Sequence, residues 1–134
     1  MDDLVEVEIS RLVVLQRDDQ QFVHLKVLGS DRSFRIVIGF FEALEIQRKL
    51  LGHEFARPMT HDLIGRILTA TDWDLRRVVI NALSDSTFFA FLDLVKGQEA
   101  KLIDCRPSDA LALSVQFRCP IFVSRQVLDE VAPE

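Results

Sequence analysis

Residues 86–117 read STFFAFLDLVKGQEAKLIDCRPSDALALSVQF, and the order of patterns within them decides the fold. The first ten are almost continuously apolar, as in a strand at the centre of a sheet with both faces covered. KGQE breaks the pattern, and AKLIDC resumes it as another strand. PSDALALSVQF then spaces its apolar residues as a helix that is hydrophobic nearly all round, hence buried. Ala110, Ala112 and Ser114 are small enough to let a neighbouring element pack close. Strand, strand and buried helix in succession predict a sheet with helices laid on it.

Working toward the N-terminus, residues 75–83 read as a strand joined to this one through SDS. The first 39 residues read as a meander. Val5, Val7 and Ile9 alternate with Glu6, Glu8 and Ser10, a turn falls at Asp18 and Asp19, and Val23, Leu25 and Val27 alternate in the same way. Phe34, Ile36 and Ile38 share one face of a third strand after GSDR. A helix follows, FFEALEIQRKLLG, with Gly52 as its C-cap. Its apolar face is Phe40, Ala43, Leu44, Ile46, Leu50 and Leu51, and Glu42, Glu45, Arg48 and Lys49 are expected in solvent. A second helix over about residues 60–70 should turn Leu63, Ile64, Ile67 and Leu68 inward. Toward the C-terminus, PIFVS reads as a short strand and RQVLDEV as a helical turn or two. The expected fold is α+β: one domain over residues 1–134, a mixed β-sheet covered by about three helices.

Composition narrows the function. The 134 residues are 49% hydrophobic and 28% charged, enough for a core and too little charge for a disordered chain. The formal charge of −5 is spread evenly: residues 1–54 carry 7 basic and 10 acidic side chains, residues 55–134 carry 9 and 11. No basic run or tail appears, which argues against an architectural DNA-binding protein. An enzyme whose acidic site gains positive charge from metal ions is not excluded. Cys105 and Cys119 lack CxxC spacing and read as reduced, buried thiols. The acidic start MDDLVEVEIS does not resemble a signal peptide, and no apolar run approaches a membrane span. These features predict a cytoplasmic protein with no membrane partner.

Two stretches repeat a pattern: ARPMTHDLI at 56–64 and CRPSDALAL at 105–113. In each, an Arg-Pro pair precedes a hydroxyl residue and an aspartate at the start of an apolar helix. Thr60 stands where an N-cap is expected, and either Ser108 or Arg106 caps the later helix. Asp62 and Asp109 fall in first turns, where the helix dipole favours negative charge. Such residues make a sound helix start whatever the protein does. Repeated, they also suit chemistry on an anion: Arg57 and Arg106 are forked donors for phosphate. Asp62, Asp104 and Asp109 would hold a divalent ion, Mg²⁺ or Mn²⁺, where the fold brings them together. His61, about 100° round the helix from Asp62, is not oriented by its neighbour and reads as a surface or satisfied side chain unless it serves as a base. Glu42 reads first as an exposed first-turn carboxylate and second as a metal ligand. Arg66, Arg76 and Arg77 read as surface pairs. No HExxH, P-loop, GxGxxG or GxSxG pattern occurs.

The blocks GFFEALEIQRKLLG, RPMTHDLI, VVINALSDSTFFAFLDL and IDCRPSDALALSVQFRCPIFVS together resemble the bifunctional nuclease (BFN) domain family over about residues 1–130. The most specific element is Asp104 with Arg106–Leu113, supported in order by Arg57–Leu63. The resemblance implies hydrolysis of DNA and RNA and a homodimer. By motif, the residues at issue are Glu42, Arg57, Thr60, His61, Asp62, Asp104, Arg106, Ser108 and Asp109. Cys105 stands where a small residue such as Ala is usual, and Phe89 where Tyr is common. Two functions therefore compete. One is a metal-assisted nuclease in which His61, Asp62 and Asp109 are catalytic, Arg57, Arg106, Thr60 and Ser108 bind substrate, and Asp62, Asp104, Asp109 and Glu42 hold the metal. The other is a non-catalytic oligomeric module that binds an anionic ligand or a protein partner.

Overall fold

The structure, a computed structural model, describes residues 3–15 and 20–134. The turn expected at Asp18 and Asp19 lies outside the described residues. In chain order the elements are β1 (Leu4–Val13), β2 (Gln21–Val27), β3 (Ser33–Ile38), α1 (Phe40–Leu51), α2 (Thr60–Ala70), β4 (Asp74–Ser84), β5 (Thr87–Lys96), β6 (Glu99–Cys105), α3 (Pro107–Phe117), β7 (Ile121–Ser124) and α4 (Arg125–Val131). The α+β class is therefore as expected, with one helix more than the principal three.

All the described strands join one seven-stranded sheet in the order β3-β2-β1-β7-β4-β5-β6. β1, β2 and β3 form the antiparallel meander. β4, β5 and β6 form a second one. The two are stitched together by β7, antiparallel to β1 and parallel to β4. The middle of the sheet is thus the four-residue β7, and β5 lies next to the edge. The apolar run in β5 reported burial correctly, since Ala90 to Leu94 are all buried. Burial and lateral position are separate properties, because coverage comes from the layers above and below and position from the hydrogen-bond partners. Val78, Val79 and Ile80 are likewise buried in succession, so β4 too is covered on both faces.

α3 is the central helix. It packs against α1, α2, β4 and β5, and residues 110–114 are all buried. Pro107 occupies its first turn and Arg106 is the N-cap, with extended backbone; Ser108 is inside the helix. At the start of α2 the N-cap is Met59, and Thr60 is the first helical residue, with no side-chain cap bond. The cap interaction comes from the other direction: Asp62 Oδ2 accepts the Met59 N–H at 2.8 Å.

Two helix faces differ from the periodic reading. In α1 the buried stripe is Ala43 and Ile46, with Arg48 beside them. Glu45, Arg48 and Lys49 have side chains only 14%, 8% and 8% exposed, while Leu50 and Leu51 lie in solvent. Mutual pairing among the three charges, together with Asp62, makes that burial tolerable. In α2, Leu63 and Ile67 are exposed and contact is carried by Gly65 and Leu68. Gly65 has no room for a Cβ, which would meet the Gln116 amide, so α2 and α3 approach through a glycine rather than through a leucine row.

β5 also carries a buried carboxylate. Asp93, 2% exposed, accepts from Arg76 at 2.7 Å and Arg77 at 2.8 Å. Burial raises its carboxyl and the two guanidiniums more than offset that, leaving it lowered. The pairing expected of Arg76 and Arg77 thus has a buried partner. Among the described residues no helix is long and apolar enough to cross a membrane.

Candidate functional site

Two helix starts, 47 residues apart between Asp62 and Asp109, meet because α2 and α3 pack on each other. His61 Nε2 lies 2.9 Å from Asp109 Oδ1, linking the first turn of α2 to the first turn of α3. Arg106, the N-cap residue, turns back on its own helix. Its Nε donates to Asp109 Oδ2 at 2.9 Å and Nη2 to Oδ1 at 3.0 Å, a forked pair. Nη1 of the same guanidinium donates to Glu42 Oε2 at 3.0 Å, tying in the first turn of α1. Three helix starts therefore converge through one arginine and one aspartate.

Asp62 belongs to an adjoining network. It accepts from Arg48 at 3.1 Å and from Lys49, both on α1. Arg48 also grips Glu45, at 2.6 and 3.1 Å. His61 joins the two networks: its Nδ1 is 3.7 Å from Glu45 Oε1, too far for a hydrogen bond but near enough to feel the charge. The chain of contacts runs Glu42, Arg106, Asp109, His61, Glu45, Arg48, Asp62.

The electrostatics follow from these contacts. Burial pushes the Asp109 carboxyl up, but hydrogen bonds from His61 and Arg106 win and hold it well below the usual carboxylate range. Asp62 is also raised by burial, yet Lys49, the Met59 N–H and Arg48 bring it to about 2. Arg106 is pushed above its ordinary value, chiefly by the Asp109 hydrogen bond. Both aspartates are thus fixed as anions, each held by cations.

Of the residues singled out by sequence, the structure brings together Glu42, His61, Arg106 and Asp109, with Asp62 one link away. Ser108 is buried beneath the same helix start. Asp104 stands apart on β6, exposed and opposite Phe91. Arg57, on the approach to α2, and Thr60, the first residue of that helix, are both exposed. Among the described residues no three His, Cys, Asp or Glu side chains gather as a metal-holding group. Glu42 and Asp109 are the two carboxylates that face a common point, and the Arg106 guanidinium stands between them as the cation.

Beside this cluster is a hollow of about 570 Å³, walled by Arg35, Ile38, Glu42, Phe88, Arg106 and Ser108. Arg35 is exposed, with its guanidinium 4.4 Å from the Phe22 ring centre. It places a second forked cation at the same hollow as Arg106. Sequence reading passed over Arg35 and placed Glu45 and Lys49 in solvent, whereas both are largely buried beside Asp62 and Arg48. Arg35 does alternate with the core residues Phe34 and Ile36, which signals an outward-facing cation on an otherwise apolar strand.

Comparison with known proteins agrees with this arrangement of motifs. The chain is 36% identical over 123 residues to two proteins of Mycobacterium tuberculosis, covering 92% of this chain and 73% of each of them. They are "Uncharacterized protein MT1877" of strain CDC 1551 / Oshkosh and "Uncharacterized protein Rv1829" of strain ATCC 25618 / H37Rv. The profile of the bifunctional nuclease domain matches residues 23–134, which takes in every residue of the cluster. The chain belongs to the bifunctional nuclease domain family.

Proposed function

We propose that the chain hydrolyses phosphodiester bonds of DNA and RNA at the cluster of Glu42, His61, Arg106 and Asp109. The observation that carries this reading is the Asp109 carboxylate, held at once by the His61 ring at 2.9 Å and by the Arg106 fork, beside a hollow that carries a second arginine. Arg106 is 61% exposed, and with Arg35 it is placed to bind the charge on a bridging phosphate. Asp109 fixes the His61 ring through Nε2. Nδ1, free of any hydrogen bond among the described residues, is the atom through which His61 takes a proton from the attacking water. A divalent ion, Mg²⁺ or Mn²⁺, would be held by Glu42 and Asp109 once Arg106 turns to the substrate; when bound it lowers the pKa of a coordinated water. Asp62 keeps α2 seated on α1, so that His61 stays in register with Asp109. The homodimer expected for the family belongs to the same proposal, supported by the exposed Leu63 and Ile67 one turn apart on α2. Sedimentation at twice the chain mass would bear that out.

The test is hydrolysis of labelled single-stranded DNA and RNA. Cleavage should stop with EDTA and be lost in Asp109→Asn. Cleavage that survives both treatments comes from another protein in the preparation, and the reading then fails.

A second reading is favoured by one feature: each carboxylate of the cluster already has its cation. A non-catalytic anion-binding or partner-binding module would be built this way, with the charges serving the fold. Under it, Asp62→Ala and Asp109→Ala lower the melting temperature and nothing else; a folded variant without hydrolysis defeats it.

A further inference from the structure

The two edges of the sheet are built differently. At one, β3 alternates buried Phe34, Ile36 and Ile38 with exposed Arg35 and Val37, and the hollow beside Arg106 runs along it. At the other, β6 has β5 as its one neighbour among the described strands and pairs with it residue by residue from Glu99 to Cys105, without a bulge. Its outer side therefore presents a regular row of backbone N–H and C=O groups with no partner in the sheet. Six of its seven residues are exposed and Cys105 is half-buried. Edge strands are commonly blunted by proline, by bulges or by charges that stand out from them. β6 has no proline and no bulge, and its middle is apolar: Leu102 is 54% exposed and Ile103 44%. Its cation, Lys101, is drawn toward the start of β4, with Nζ 5.7 Å from the Trp73 ring centre.

We propose that β6 pairs antiparallel with β6 of a second copy, so that the two sheets join into one. A two-fold axis that joins two such edges stands perpendicular to the sheet and keeps each face on its own side. The axis must then fall on a residue that meets its own copy. Centred on Lys101 the pairing opposes two ammonium groups, and centred on Asp104 two carboxylates. Centred on Ile103 it sets Leu102 against Asp104. Centred on Ala100 or nearer the hairpin it leaves half the strand without a partner. Centred on Leu102, the middle residue, all seven residues pair. Leu102 then meets Leu102, Lys101 lays its stem against Ile103, Ala100 faces Asp104, and Glu99 faces Cys105. No like charges are opposed. Leu102 and Ile103, which lie on opposite faces of the strand, are both covered.

This register also reaches the cluster. β6 ends one residue before Arg106, so the partner subunit's Glu99 comes opposite Cys105, beside the Arg106–Asp109 start of α3. Each copy thus supplies an acidic group at the margin of the other's cluster. The pairing rests on the proposed homodimer and gives it a contact. It does not depend on the phosphodiester chemistry, and it does not require Leu63 and Ile67 of α2 to lie in the same interface.

Cysteine cross-linking of the full chain tests the pairing. In Leu102→Cys the two new thiols face each other across the axis, where opposed Cα atoms are about 4.5–5.5 Å apart and within disulfide reach. Mild oxidation should convert most of the protein into a dimer linked from 102 to 102. Non-reducing electrophoresis reads the dimer, and peptide mass separates that link from any disulfide of Cys105 or Cys119. Ala100→Cys is the control: its two copies are offset by about 13 Å along the strands and should not link. Leu102→Glu opposes two carboxylates at the axis and should halve the sedimenting mass, with the far-ultraviolet circular dichroism unchanged because Leu102 is exposed in the single chain. Should that variant fail to fold, the two cysteine variants carry the comparison. A dimer that links through 100 as readily as through 102, that links through Ile103→Cys and not Leu102→Cys, or that keeps its mass in folded Leu102→Glu overturns this pairing and leaves the homodimer. A parent chain that sediments as a monomer overturns both, and the edge is then open to a strand of another protein.

Discussion

The starts of α2 and α3 are written almost alike, RP-x-T-H-D and RP-S-D, yet the fold uses them differently. At α3 the arginine is retained: Arg106 closes on Asp109 and reaches Glu42, so cation and anion stand together at the edge of a hollow. At α2 the arginine is released: Arg57 lies in solvent, and Asp62 is taken by Arg48 and Lys49 from α1 and by the Met59 N–H. One start faces outward as a half-open ion pair and the other is folded into a joint between helices. The same local motif therefore has two fates, decided by which neighbouring helix brings a competing cation. Before substitution data, α3 is the end to expect chemistry from, and α2 the end to expect stability from.

The largest effect that would break this contrast is on hydrolysis. Asp109→Asn removes a charge that both Arg106 and His61 are built around, and leaves the shape nearly unchanged. Cleavage of labelled single-stranded nucleic acid should fall at least about 100-fold, the range typical for loss of a positioned acid–base or electrostatic group. Asp62→Asn, compared per folded molecule, should fall far less. If the two variants lose activity equally, the division between the two helix starts is wrong.

Next in size is a stability effect that should run the other way. Asp62 is held at about 2 against an ordinary 3.8. Its folded-state value is depressed, so its contribution is present above the unfolded value and is lost as pH falls through the folded one. Asp62→Asn should therefore cost about 2 kcal/mol at neutral pH, measured by urea unfolding. The gap to the parent protein should close progressively from about pH 4 to about pH 2. A gap that stays constant across that window would mean the carboxylate acts through shape rather than charge. Arg57→Gln, at the same start, should change stability by less than about 0.5 kcal/mol, since that side chain is exposed and none of the described residues holds it.

These expectations also mark how far the sequence could be read. The strands and α3 were legible because alternation and an all-round apolar helix are local signals that the fold does not override. Asp62 and Asp109 were legible as first-turn anions for the same reason. Which cation each would take was not, because Lys49 meets Asp62 and His61 meets Asp109 only through packing between helices distant in the chain. Arg48 and Lys49 read as solvent-facing by period, and their burial rests on partners that periodicity does not contain. His61 was legible as a candidate base but without an orienting group, because Asp62, its neighbour, points about 100° away; the carboxylate that meets its ring is Asp109, 48 residues away.

The smallest effect separates the two starts by a probe that reads charge without any turnover. Cys105 sits immediately before Arg106, and its thiol is pushed up to about 12, by burial first and then by the carboxylates of Asp109 and Asp104. Thiolate, the form that reacts, is then scarce at pH 8, and alkylation by iodoacetamide should be far slower than for a free thiol. Asp109→Asn removes one of the two nearby anions and should speed labelling several-fold, whereas Asp62→Asn, whose charge acts on α1, should leave the rate unchanged. Labelling followed by mass at Cys105 distinguishes them. Equal acceleration in both variants would mean that the two substitutions loosen the core alike, and that α2 and α3 share one electrostatic site after all.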